Sequence, residues 1–195
     1  MKIFTCTVPD GNEIIQPDIP DASEFLATQV NGVQRGQGWS PIPVRIVRKD
    51  DQGRLLKEAD TALLGLVSHA IVLKPKAIRL LGPFLLKFGE LLPLICQDVE
   101  LSLFNPTFVL DALDESASIL NRFDNGRIFY IKRFAFHHGA IGLVDIFKIP
   151  SLRVSPVFFS ESAVVEWRNA GVTGLDFKQI WSSEHGVGRA NDVSS

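Results

Sequence analysis

Asp124-Asn125-Gly126 stands between two apolar, strand-like runs, residues 119–123 and 127–136, and no other short segment of the chain restricts its backbone as much. Asn-Gly in that setting predicts a tight two-residue hairpin turn, because both central residues must accept positive φ and the turn's twist must match that of its strands. The chain therefore commits to antiparallel β-structure in its C-terminal half. The second arm has Phe129 and Ile131 on one side and Ile128, Tyr130, Phe134 and Phe136 largely on the other. Apolar side chains on both faces predict a central strand covered on both sides.

Other elements follow from periodicity and turn chemistry. Residues 1–58 are punctuated by turn formers, among them Pro9, Asp10-Gly11, Pro17, Pro20, Asn31-Gly32, Pro41, Pro43 and Gly53. They predict short strands, such as residues 2–8 and 44–48, with residues 23–28 as a short helix or irregular turn. Pro75 opens an apolar-periodic run and suits the first position of a helix, where its missing N–H is not needed. Gly82-Pro83 should break or kink that helix. Residues 91–96 and 99–104 read as strands, and residues 107–113 as a short helix capped by Asn105 or Thr107. Residues 145–149 and 157–159 read as further strands. Ser160 is placed to cap a helix over 161–170, with Glu161 near its positive end and Gly171 as its left-handed stop. Residues 175–181 form the last strand. The fold class expected is α+β, a mixed or mostly antiparallel sheet with a few short helices packed on it. Three regions are expected: a β/loop-rich part over 1–58 wrapped on the main domain, an α+β core over 59–181, and a mobile polar tail over 182–195.

With 195 residues, 46% of them hydrophobic, the chain is long enough to bury a core without a disulfide or metal. Cys6 and Cys96 form no close pair, which suits two free, inert thiols in a reducing compartment. No apolar run approaches the length that spans a bilayer, and the first residues lack a signal-peptide pattern, so a cytoplasmic protein with no membrane partner is expected. Net charge is −2, but the charges are segregated. Residues 89–121 contain no Lys or Arg and hold Glu90, Asp98, Glu100, Asp111, Asp114 and Glu115; residues 122–153 hold six basic residues against Asp124 and Asp145. If that segregation survives folding, the molecule has an acidic and a basic face that would steer a charged partner.

Catalytic patterns are sparse. The chain has no GxSxG, Walker loop or HExxH, and the pair His137-His138 follows a strand, where neighbouring rings point to opposite faces instead of converging on a metal. No metal or other cofactor is expected. Asp111 would share a helical face with Asp114 and with Glu115. That arrangement reads first as a solvated helix end, and alternatively as an acidic patch that blocks a basic cleft in a partner. Trp39, in a Gly/Pro-rich loop, is a candidate anchor, whereas Trp167 and Trp181 read as core.

From residue 88 onward, several segments occur in a characteristic order: Gly89-Glu90-Leu91-Leu92-Pro93-Leu94, Asn105, Asp111-Ala112-Leu113-Asp114, Asn125-Gly126-Arg127, Ile146-Phe147-Lys148-Ile149-Pro150, and Gly171 through Phe177 followed by Trp181. This order resembles the bacterial immunity protein 11 family, through a GELLPL-like segment, an N…DALD segment, an IFxIP segment and a terminal GLxGxxF. About half of the chain carries the resemblance strongly, and residues 41–87 carry it more loosely. The resemblance implies a non-catalytic protein that binds and neutralises a cognate toxin encoded beside it, with no nucleic-acid partner. It leaves the toxin's chemistry and the oligomeric state open. The motif positions Gly89, Pro93, Asn105, Gly126, Phe147, Pro150, Gly174, Phe177 and Trp181 read as fold determinants. Partner contacts are expected at Glu90, Asp98, Glu100, Asp111, Asp114, Glu115 and Trp39. Two other readings stay open: a small hydrolase using Asp111 or Asp114 with His137 or His138, and an adaptor of a secretion apparatus.

Overall fold

The computed structural model describes residues 1–65, 69–152 and 154–184. In chain order the elements are β1 (Lys2–Thr7), β2 (Ile14–Pro17), α1 (Ala22–Gln29), β3 (Val44–Val47), β4 (Thr61–Leu63), β5 (Ile71–Leu73), α2 (Pro75–Leu85), β6 (Gly89–Leu94), β7 (Leu101–Pro106), β8 (Ile119–Arg122), β9 (Ile128–Arg133), β10 (Ile146–Phe147), β11 (Phe158–Ser160), α3 (Glu161–Asn169) and β12 (Asp176–Ser182). Two four-stranded sheets, in the orders β10-β11-β1-β12 and β4-β5-β7-β6, are accompanied by the two-stranded ribbons β2-β3 and β8-β9. Every strand pair among the described residues is antiparallel. The fold is thus α+β and dominated by sheet.

Both large sheets are covered on both faces, because their strands alternate between two apolar clusters. In the first sheet Cys6 and Phe159 enter the cluster shared with Ile71, Leu73 and Phe104 of the second, together with Leu81 of α2 and Trp167 of α3. Their neighbours Ile3, Phe147 and Phe158 enter a separate cluster with Leu113, Ile128, Ile131 and Phe136. In the second sheet Val72 and Leu103 point away from the shared core, toward Ile15, Trp39 and Val44 of the N-terminal part. Each fully buried large side chain contributes roughly 1.5–3 kcal/mol of burial energy, and three adjoining clusters spread that gain through the molecule.

Residues 1–58 do more than wrap the core. Strand β1 lies inside the first sheet, between β11 and β12, so the start of the chain is built into the centre of the fold. Residues 9–58 do lie against the second sheet, for example where Val44 N–H donates to the Ile95 carbonyl at 2.8 Å. Two buried charges tie this region down: Lys74 Nζ bonds the Glu13 carboxylate, which also accepts from Ala59 N–H at 3.1 Å.

Helix α2 starts with Pro75 at its first turn as expected, but it runs through Pro83 to Leu85. Pro83 sits in the last turn, where only one backbone bond is forfeited, and Leu86 N–H still reaches the Gly82 carbonyl at 2.9 Å. The Ser160 hydroxyl caps α3, accepting from Ala163 N–H at 3.1 Å, and Gly171 follows the helix at φ +63°. Residues 107–113 are extended, not helical. Leu110 N–H donates to Lys148 and Lys148 N–H to Phe108, both at 2.8 Å, so neighbouring chain satisfies the backbone groups that a helix would have paired internally. Ser182 completes β12, which places the start of the expected tail inside the sheet; residues 185–195 of that tail lie outside the described residues.

Gly174, a position of the C-terminal motif, has a structural cause. Its φ is +115°, and a Cβ there would lie 1.9 Å from the Thr61 carbonyl oxygen, so only glycine lets this loop close against β4. Beside it, the Asp60 carboxylate accepts from Thr173 N–H at 2.9 Å and from Lys76 Nζ at 2.9 Å. Burial alone would raise the Asp60 pKa, but these donors outweigh it and hold the carboxyl below its ordinary value.

Candidate functional site

The hairpin forms where the sequence places it, with a different turn. Gly126 N–H bonds Phe123 O and Phe123 N–H bonds Arg127 O, both at 2.9 Å, and Gly126 alone in the loop has positive φ, at +83°. This is a three-residue loop ending in a left-handed glycine, not the two-residue turn expected from Asn-Gly. Strand β9 also differs from expectation: among the described residues it pairs only with β8 and is not a covered central strand. A register shift between Tyr130 and Ile128, where β9 carries the extra residue Phe129, puts Ile128 and Ile131, three residues apart, on the same buried side. The strict alternation that would have covered Phe129 or Tyr130 is thereby broken, and these rings stand 50% and 55% exposed. Phe123, 53% exposed, packs on Phe129 with ring centroids 4.9 Å apart, and the Arg127 guanidinium lies 5.9 Å from the Phe123 ring.

Beside this ribbon is a cleft of about 680 Å³. Thr5 of β1 is the cross-strand partner of both Phe158 and Lys178, so these three side chains share the sheet face on which the cleft opens. Residues 129–134 form a second side, and Leu152, Val154 and Pro156 also line it. Among its described lining residues Lys132, Arg133 and Lys178 are cationic, and none is acidic. Arg133 spends one N–H on the Ala117 carbonyl at 3.2 Å. Lys132 and Lys178 have no carboxylate within ion-pair distance among the described residues. Cys6, at the edge of the same cleft, is buried, and burial pushes its thiol up to about 12, which leaves it un-ionised and unreactive at neutral pH.

The acidic residues singled out from sequence do different jobs. The Glu90 carboxylate faces inward, accepting from Arg35 N–H at 2.7 Å, Gly36 N–H at 3.0 Å and the Asn105 amide at 2.9 Å. Glu90 and Asn105 are cross-strand partners, so two motif positions act together to hold the 31–36 loop. Asp98 pairs with Arg48 at 2.7 Å in the β6–β7 connection, beyond the far end of β6 from Glu90. Glu100 and Asp111 are exposed. Because residues 107–113 are extended, Asp111, Asp114 and Glu115 share no helical face. Glu115 pairs with Arg122 at 2.5 Å. Trp39 is packed inside, against Phe25, and its indole N–H donates to the Pro93 carbonyl at 2.8 Å. Of the remaining motif positions, Phe147 is buried and Phe177 half-buried, Trp181 packs on Phe136, Pro93 and Pro150 are exposed, and Gly89 opens β6 opposite Pro106.

Asp114 and His137 do come together, with His137 Nδ1 3.9 Å from Asp114 Oδ2. The Ser116 hydroxyl, at 2.6 Å, and Ala117 N–H, at 3.0 Å, bond the other oxygen and hold the Asp114 carboxyl below its ordinary pKa. Ser118 Oγ bonds the Asp114 carbonyl at 2.6 Å and accepts from Ala135 N–H at 3.0 Å, so both nearby hydroxyls are engaged in the turn. The His138 ring packs on Trp181 at 5.1 Å, and His185 lies outside the described residues. Among the described residues no group of three or more His, Cys, Asp or Glu side chains converges to hold a metal, and no helix is long and apolar enough to cross a membrane. Sequence reading missed the exposed aromatic group at Phe123, Phe129 and Tyr130. The available signal was the concentration of Arg122, Arg127, Lys132 and Arg133 around those rings. No protein-family model matches the chain, and no curated protein matches it.

Proposed function

We propose that this protein works by binding another protein, and that the partner is a bacterial toxin which it neutralises in the cell that makes both. The observation that carries the reading is the β8–β9 ribbon, with Phe123, Phe129 and Tyr130 half exposed beside a cleft of about 680 Å³ bordered by cations. Aromatic rings and arginines of this kind are enriched among the residues that supply most of the binding energy at protein interfaces, and exposed apolar patches mark interaction sites. The toxin as partner is supported by the order of motifs that resembles the immunity protein 11 family. Those motif residues serve the fold: Glu90 and Asn105 tie a loop, Gly174 permits a close approach and Phe147 fills a core. That leaves recognition to the polar and aromatic positions between them.

Co-expression with the toxin encoded beside it should restore growth, and the two proteins should co-purify. Phe129→Ala with Tyr130→Ala should keep the fold, since both side chains are half exposed, and should weaken the complex by about thirtyfold or more. Failure to form a complex with the neighbouring gene product would overturn the reading. A complex unaffected by the double substitution would move the interface away from the ribbon.

A further inference from the structure

The cleft beside β9 combines three features that point to one kind of occupant. The first is charge: among the described lining residues Lys132, Arg133 and Lys178 are cationic and none is a carboxylate, in a chain whose net charge is −2. The second is an apolar lining from Phe134, Leu152 and Val154. The third is backbone. Residues 129–134 line the cleft consecutively, and alternate side chains of a strand cannot all face one way, so it is the edge of β9 that borders the space. That edge is unpaired among the described residues, since β9 bonds only to β8.

We propose that this cleft receives an extended segment of the partner, added alongside β9, that alternates carboxylates with apolar side chains. The inference rests on the protein-binding reading above and adds the chemistry of what is bound. Main-chain bonds to the β9 edge supply affinity, and the alternating side chains supply specificity. Carboxylates meet Lys132 and Lys178, which have no ion-pair partner of their own among the described residues, while the apolar residues cover Leu152 and Val154. A purely apolar strand would strip water from these lysines and leave them unpaired, which is costly. A bare anion would leave the apolar lining uncovered. A nucleic-acid strand needs a longer track of cations to follow successive phosphates.

The test is fluorescence anisotropy with a short labelled peptide of alternating Glu and Leu. It is compared with an alternating Gln and Leu peptide and with a labelled oligothymidylate, all against the full chain. The Glu peptide should bind saturably, and the two other probes at least about tenfold more weakly. Lys132→Glu with Lys178→Glu should weaken the Glu peptide by about tenfold or more, as should high salt, whereas Lys132→Arg with Lys178→Arg should retain it. Unchanged thermal midpoints in these surface variants show that the fold is intact. Equal binding of the Gln peptide, absence of saturable Glu-peptide binding, or indifference to charge reversal overturns the proposal. Tighter binding of the oligothymidylate overturns it in favour of a nucleic-acid surface. The same variants separate this inference from the reading beneath it. A toxin complex that survives charge reversal at full strength sinks the acidic segment and leaves the binding function standing. Peptide binding without any toxin complex does the reverse.

Discussion

Lys148 is 3% exposed, has no carboxylate within ion-pair distance among the described residues, and offers its ammonium to the Val30 carbonyl. Burial lowers its pKa from 10.5 to about 8. At roughly 1.4 kcal/mol per unit, that shift corresponds to on the order of 3 kcal/mol of destabilisation carried by the charged form at neutral pH. The folded-state pKa lies below the unfolded one, so between about pH 8 and pH 10.5 the unfolded chain binds more protons and stability rises with pH. Below that window the full burial cost is present. Lys148→Met keeps the aliphatic length, removes the titration, and leaves the Val30 carbonyl without this donor, at a cost of roughly 1–3 kcal/mol. The two terms nearly cancel at pH 7, where the variant should match the wild type or exceed it by up to about 2 kcal/mol. Near the top of the window the wild type has recovered the burial cost, and the variant should be the less stable by roughly 1–3 kcal/mol. Urea unfolding followed by tryptophan fluorescence across this pH range gives the difference directly, because groups that titrate in both proteins drop out. Parallel curves, with no change of sign, would refute the account of Lys148 as an uncompensated buried cation.

Three further substitutions probe the frame. Gly174→Ala should cost about 3 kcal/mol or more in a thermal or urea melt, because the new methyl meets the Thr61 carbonyl at a positive φ; a loss of less than about 1 kcal/mol would show that the loop closes differently. Glu90→Gln turns an amide donor toward groups that already donate, and should cost roughly 1–3 kcal/mol and speed proteolytic cutting near residues 31–38. Unchanged stability with weaker toxin binding would instead return Glu90 to the interface. Asp60→Asn should cost about 1–2 kcal/mol at neutral pH. Since the Asp60 pKa is depressed in the folded state, its contribution is present above the unfolded carboxylate value and is lost as pH falls through the folded one. Wild type and variant should therefore converge in acid, and a gap that persists there would contradict the assignment.

The elements legible in the sequence were those with local causes. Pro75 at a helix start, Ser160 as a cap, Gly171 as a stop and Asn-Gly in a hairpin each act within a few residues. What stayed hidden depended on distant chain. The backbone of residues 107–113 had helical spacing but found its partners around Lys148. Phe129 and Tyr130 alternate like covered strand residues, and the register shift against β8 at Phe129 turns them outward. Glu90 and Trp39 had the composition of an interface, and only the pairing of β6 with β7 and the return of residues 31–43 across them show that both are used internally. The place of β1 at the centre of a sheet was equally out of reach, since its partners lie more than half the chain away.

Titration of the activity of the toxin proposed as its partner with increasing amounts of this protein tests the central claim most directly. Neutralisation by binding predicts that activity falls in proportion to added protein, reaches its floor at a fixed stoichiometric ratio, does not progress with time, and returns when the complex is separated. Inactivation by substoichiometric protein that deepens with incubation would show turnover, and would contradict a binding mechanism.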